Sequence, residues 1–209
     1  MKTHDDFIWE NYSRQYGSEI QTEFLHKGID MIVSEVGLDD KNELIFTDNL
    51  HPNWKELYHL IHKLKVKSIF ECGCGCAHHL INSQKINPNL LVNGCDYSDS
   101  QIKLGASYFG LEKYEFSKRL KVRDMTNIPD IESLGKHEFV YTQAVAMHLS
   151  DERVRKFLHN MSLLSSKYIF MIENVSAHDW SSLIEEFFPE FERVIDNKYI
   201  DYGILLKKR

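Results

Sequence analysis

Proline is scarce, at 4 residues in 209, and glycine supplies only 10, which excludes a collagen-like or linker-rich chain. No apolar run approaches the ~20 residues needed to span a bilayer. The opening stretch, MKTHDDFIWENY, has no apolar segment of the secretory kind. A cytoplasmic protein without a membrane partner is therefore expected. Basic charge is also short, with 25 Lys and Arg against 31 Asp and Glu, a net charge of −6. A nucleic-acid binder carries a basic surplus that replaces the counterions of the phosphates. The balance points instead to a small-molecule substrate and no nucleic acid.

Cysteine is limited to Cys72, Cys74, Cys76 and Cys95, three of them inside one short run. Such spacing cannot staple distant parts of a fold, so a disulfide framework is not expected. His78 and His79 follow directly and raise the alternative of a metalloprotein. Structural zinc sites, however, place two or more residues between paired cysteines. Small, nearly apolar fillers of a tight turn are the plainer reading, and no metal is expected.

What is present is the composition of an ordinary globular domain, 43% hydrophobic and 27% charged. A chain of this length removes about 70% of its unfolded surface from water. From residue 54 onward, helical and strand-like segments alternate. Trp54, Leu57, Leu60, Ile61 and Leu64 share one helical face. Strands are expected over 67–71, 90–95, 120–123, 138–142 and 168–172. Ser98 with Gln101 forms a capping-box pattern, Ser150 is placed to cap a helix with an apolar face at Val154, Phe157, Leu158, Met161 and Leu164, and Asp179 precedes a helix that stops near Pro189. Segments 191–195 and 203–206 read as two final strands joined by a tight connection. This rhythm implies a doubly wound α/β fold, a mostly parallel sheet covered on both faces. Residues 1–53 are charged and aromatic without clear strands, and are expected to form a helical extension, or lid, on the domain over 54–209.

Open α/β sheets bind ligands at the carboxyl ends of their strands. The first strand ends in Glu71-Cys-Gly-Cys-Gly-Cys-Ala77, where Gly73 and Gly75 allow a sharp turn and close approach of backbone to ligand. The next helix offers its free N–H groups to an anion. Asp96, about twenty residues beyond the glycines, is spaced to accept the hydroxyls of a ribose. Asp124 and Met125 follow the third strand, suited to an adenine edge and face. A nicotinamide site would want a third glycine where His78 stands, and a P-loop would want G-K-[ST], which is missing.

The run SIFECGCGCAHHLINSQKINPNLLVNGCDYSDSQIK, from Ser68 to Lys103, resembles the first two motifs of the class I S-adenosylmethionine-dependent methyltransferases. Glu71, Gly73 and Gly75 match the first motif, with Ala77 where a third glycine is common. The resemblance implies a Rossmann-like seven-stranded sheet with an antiparallel last strand, and S-adenosyl-L-methionine as cofactor. It further implies that Asp96 holds the ribose, Tyr97 packs on the adenine, Asp124 and Met125 meet the adenine, and Gln143 in Thr142-Gln-Ala144 passes the methionine moiety. Similarity to short bacterial methyltransferases with an aromatic N-terminal segment implies a hydroxyl acceptor on a sugar, nucleotide-linked sugar or phosphorylated polysaccharide precursor.

Methyl transfer needs alignment first, and a base only where the acceptor must lose a proton. His148 is the candidate base, with Glu173 and His178 expected to face the same cleft, Glu173 orienting an acceptor or pairing with His148. Tyr12 and Arg14, with Tyr16, are candidates to contact the cofactor carboxylate or close over the acceptor. N-methylation of an amine, and a non-catalytic cofactor-binding or scaffold protein on the same fold, remain the alternatives.

Overall fold

A computed structural model describes residues 36–48, 50–194 and 197–209. The expectations placed on Tyr12, Arg14 and Tyr16 lie outside these residues. A short antiparallel pair opens the described chain, β1 (Val36–Leu38) with β2 (Leu44–Phe46). This corrects the expectation of an N-terminal stretch without strands. Each strand has only three residues, too few for an alternating pattern to be legible in sequence.

Helix α1 (Pro52–Leu64) starts where His51 accepts the amide of Asn53 and proline occupies a first-turn position, where its missing N–H is harmless. There follow β3 (Ser68–Cys72), α2 (His78–Ile86), β4 (Leu91–Asp96), α3 (Asp99–Phe109) and β5 (Lys121–Val122). The second half comprises β6 (His137–Gln143), α4 (Asp151–Leu164), β7 (Ser165–Ile172), α5 (Trp180–Phe187), β8 (Phe191–Val194) and β9 (Ile204–Lys208). Ser98 caps α3 by accepting the Gln101 amide, and Asp179 caps α5 by accepting that of Ser182. Ser150 stands at the N-cap of α4 but makes no side-chain cap bond. Asp151 and Glu152 in its first turn complement the helix dipole instead.

Seven strands form one sheet in the order β5-β4-β3-β6-β7-β9-β8. Neighbours from β5 to β7 pair in parallel, and β9 runs antiparallel between β7 and β8. The described part of the segment between β8 and β9, residues 197–203, contains no strand. Alternate residues feed two cores. Ile69, Phe139, Tyr141, Phe170 and Leu205 face α1 and α2, while Phe70, Val140, Ile169, Met171 and Leu206 face α4 and α5. The strands are apolar on both faces because helices cover both. Sheet order reverses at β3, which carries β4 on one side and β6 on the other, so a crevice opens there at the carboxyl ends. Among the described residues no helix is long and apolar enough to cross a membrane.

Candidate functional site

The crevice is a cavity of about 400 Å³, within the range of small-molecule sites. Its floor is the turn from β3 into α2. Gly73 and Gly75 take left-handed backbone, with φ of +81° and +51°. The amides of Gly73 and Cys74 both donate to the Cys95 carbonyl, at 2.8 and 3.0 Å, tying the turn to the end of β4. A Cβ on Gly73 would stand 2.4 Å from Cγ2 of Val145, so the turn and the segment after β6 are in direct contact. Helix α3 closes on the same turn, since a Cβ on Gly105 would meet the Cys76 carbonyl oxygen at 2.3 Å.

Asp96, half-buried at the tip of β4, accepts the Gly75 amide at 2.7 Å on one oxygen and the Ser98 amide at 2.8 Å on the other. Burial raises its pKa, and these two N–H groups oppose the rise. Glu71 is buried beneath the cavity and its pKa is pushed well up by desolvation. The neighbouring Tyr141 hydroxyl opposes that rise and the Asp96 carboxylate adds to it.

Tyr97, Asp124, Met125, Gln143 and His148 line the same cavity. Tyr97 is exposed and Met125 buried. Both oxygens of Asp124 are in use. Oδ1 accepts the amide and hydroxyl of Thr126, and Oδ2 accepts Arg153 at 2.7 Å. Asn160 donates to the Met125 carbonyl, so α4 fixes this loop from below.

Glu173 and His178 do not line the cavity, in contrast to the expectation. The Glu173 carboxylate is buried under the turn after β6 and accepts from Thr142, Val145 and Met147. His178 sits between the Ala146 carbonyl and the Asp151 carboxylate.

Trp54, His78, His79 and Gln101 also line the cavity, although their sequence positions read as core, helix start and cap. Trp54 packs edge-on against both imidazoles. Burial drives the pKa of His78 down to about 4 and that of His79 down too, so both rings are neutral at pH 7. The signal that would have found them is adjacency to the glycine turn. Cys74 and Cys76 line the cavity as buried thiols, and desolvation pushes Cys76 up to about 12, far from the reactive thiolate range. Among the described residues no cluster of three or more His, Cys, Asp or Glu is arranged to hold a metal ion.

Strand order, the antiparallel β9, and a cavity floored by a glycine turn with a carboxylate on the next strand define a Rossmann-like methyltransferase fold. No protein-family model matches the sequence, nor does any curated protein. Solved structures do match. Magnesium protoporphyrin IX methyltransferase from Synechocystis PCC 6803, with bound SAM, is 12% identical, covering 75% of this chain and 78% of its own at a TM-score of 0.59. The methyltransferase domain of bacterial CtHen1 is 11% identical, covering 76% and 98%, at a TM-score of 0.58. TehB from Haemophilus influenzae is 14% identical, covering 78% and 64%, at a TM-score of 0.55. At such identities the likeness is one of fold. The chain has the fold of the class I S-adenosylmethionine-dependent methyltransferases.

Proposed function

We propose that the protein is an S-adenosylmethionine-dependent methyltransferase acting on a hydroxyl of a small polar molecule: a sugar, a nucleotide-linked sugar or a phosphorylated polysaccharide precursor. The observation that carries this reading is the meeting of Glu71, Gly73, Gly75, Asp96, Met125 and Gln143 on one cavity, from the carboxyl ends of four strands. The polar hydroxyl acceptor rests on the sequence resemblance alone.

The residues fit the cofactor. Oε2 of Glu71 and Oε1 of Gln143 are buried acceptors at the cavity without a hydrogen-bond partner, which suits a ligand that brings N–H donors. A carboxylate offers about four acceptor sites, so Asp96 can receive ribose hydroxyls beside the two amides it already holds. Tyr97 and Met125 supply surfaces for the adenine, and Asp124 keeps acceptor capacity for its edge. The neutral rings of His78 and His79 do not repel a cation, and a cation above Glu71 draws its carboxyl toward the ionised form. When bound, the cofactor supplies a methyl group already activated by its sulfonium charge for in-line displacement. His148, half-buried on the cavity wall, is the residue to take the acceptor's proton.

Purified protein with S-adenosylmethionine, screened against sugar and phosphorylated metabolites, should release S-adenosylhomocysteine detectable by mass spectrometry. Turnover with amines alone would replace oxygen by nitrogen as the acceptor atom. Failure to bind S-adenosylhomocysteine in calorimetry would remove the reading altogether. His148→Ala should spare that binding and lower turnover by about 10²–10⁴.

A further inference from the structure

The wall of the cavity after β6 is built in an unusual way. Gln143, Ala144, Val145, His148 and Leu149 line the cavity, yet the backbone carrying them leaves the sheet after the Ala144 amide, which donates to the Ile172 carbonyl at 3.0 Å. From there two side chains of the segment following β7 take over. Glu173 accepts the Val145 amide and the Thr142 hydroxyl on Oε1, each at 3.2 Å, and the Met147 amide on Oε2 at 3.0 Å. His178 approaches the Ala146 carbonyl through Nε2 at 3.2 Å and Asp151 through Nδ1 at 3.1 Å. A carbonyl and a carboxylate only accept, so both contacts are hydrogen bonds when the ring carries both of its protons. One short turn is thus held at its N–H groups by an acid and at its C=O by an imidazole.

We propose that Glu173 and His178 are positioning residues that set the cavity wall through the 144–148 turn, and so control affinity for the S-adenosyl ligand. The route is short. Glu173 holds the amide of Val145, and the Val145 side chain fills the space that a Cβ on Gly73 would need, so the turn and the cofactor floor move together. Hydrogen bonds to an ionised carboxylate are roughly twice as strong as neutral ones. Burial raises the Glu173 pKa to about 7, opposed by its N–H and O–H donors, which puts the change of state in the neutral range. The other titratable groups around the turn are His148 on it, His178 and Asp151 flanking it, and Glu71 and Tyr141 on the neighbouring strands; none of them contributes to the shift of Glu173. As pH falls through about 7, Glu173 takes up a proton and its grip weakens.

The ligand named here rests on the methyltransferase reading, so the test carries one arm that needs no ligand. Calorimetry with S-adenosylhomocysteine should show wild-type affinity falling about fivefold or more between pH 8 and pH 6. Glu173→Gln should bind more weakly at pH 8 and lose that pH dependence. Hydrogen exchange over residues 144–149, corrected for intrinsic rates, should be faster in Glu173→Gln at pH 8 and approach wild type at pH 6. If Glu173→Gln does not fold, His178→Gln serves in its place, with faster exchange of the same segment and an unchanged acidic limb. Wild-type protein that binds no S-adenosylhomocysteine sinks the function, while the exchange arm still decides the inference. Binding and exchange identical to wild type in the folded variants overturn the inference and leave the function standing.

Discussion

The amide of Gly75 donates to Oδ2 of Asp96 at 2.7 Å, across 21 residues of sequence, so the floor of the cavity and the carboxylate on its wall are one hydrogen-bonded unit. The carboxylate ties down the turn as well as lining the cavity, where the proposed function has it hold the ribose. Asp96→Ala should therefore lose on both counts. Two amides lose their acceptor, which lowers stability by about 1–3 kcal/mol. Loss of two charge-assisted bonds to the ribose should weaken S-adenosylhomocysteine binding by about 100-fold or more. Calorimetry well below the unfolding temperature separates the two effects, and unaltered affinity would remove the ribose assignment.

Ala77 caps α2 with φ of +63°, at the position where the resembling family commonly has glycine. Left-handed backbone costs an L-residue about 1–2 kcal/mol. Against that, the Ala77 methyl is fully buried, worth about 0.8 kcal/mol, and glycine is more flexible when unfolded by about 0.5–1 kcal/mol. The terms nearly cancel. Ala77→Gly should shift the urea-unfolding free energy by less than about 1 kcal/mol, whereas a β-branched residue there should destabilise the protein clearly. A large gain with glycine would mean that the turn is under more strain than its dihedral implies.

Gly105 lies inside α3, where helix propensity alone favours alanine by about 1 kcal/mol. Its Cβ, however, would stand 2.3 Å from the Cys76 carbonyl oxygen, a backbone atom that cannot swing aside. Overpacking of this kind costs about 1–3 kcal/mol or more. Gly105→Ala should lower the unfolding midpoint and, by pressing on the glycine turn, weaken S-adenosylhomocysteine binding.

Glu173 titrates near pH 7 in the folded protein and about 4.5 when unfolded, so the native state binds more protons between these values. This group therefore takes stability away as pH rises from about 4.5 to about 7, by roughly 3 kcal/mol in all. His78 and His79 act in the opposite sense, because their lowered pKa values make stability fall as pH drops below about 6.5. Wild-type stability alone mixes these terms. The difference in denaturation free energy between Glu173→Gln and wild type isolates the first, and should move in favour of the variant between pH 5 and pH 7.5. A flat difference would show that Glu173 is ionised throughout.

The parts of the fold legible in the sequence are those written as local pattern. The segments expected as strands over 67–71, 90–95 and 168–172 were legible because helices on both faces favour short apolar runs there. Gly73, Gly75 and Asp96 were readable as a unit because their spacing is that of one strand-turn-helix-strand passage. The β1–β2 pair was not readable, its strands being too short for periodicity. Trp54 lay on a helix face that reads as core, and it does pack on the core while its ring edge reaches the cavity.

What remained hidden were partners brought together from far apart in the chain. Arg153 reaches Asp124 across 29 residues, and Glu173 reaches Met147 across 26. A strand's pattern says which face a residue occupies and that its tip lies at the crevice. It does not say which donor will stand opposite a carboxylate once strands order and helices dock. Composition and periodicity therefore determined the doubly wound sheet and the location of the cavity, because each depends on hydrophobic burial summed along the local chain. Only the tertiary structure decided that Asp96 stays at the cavity while Glu173 turns beneath the loop. Burial gives a carboxylate to whatever N–H groups lie nearest, and those are set by packing over long separations.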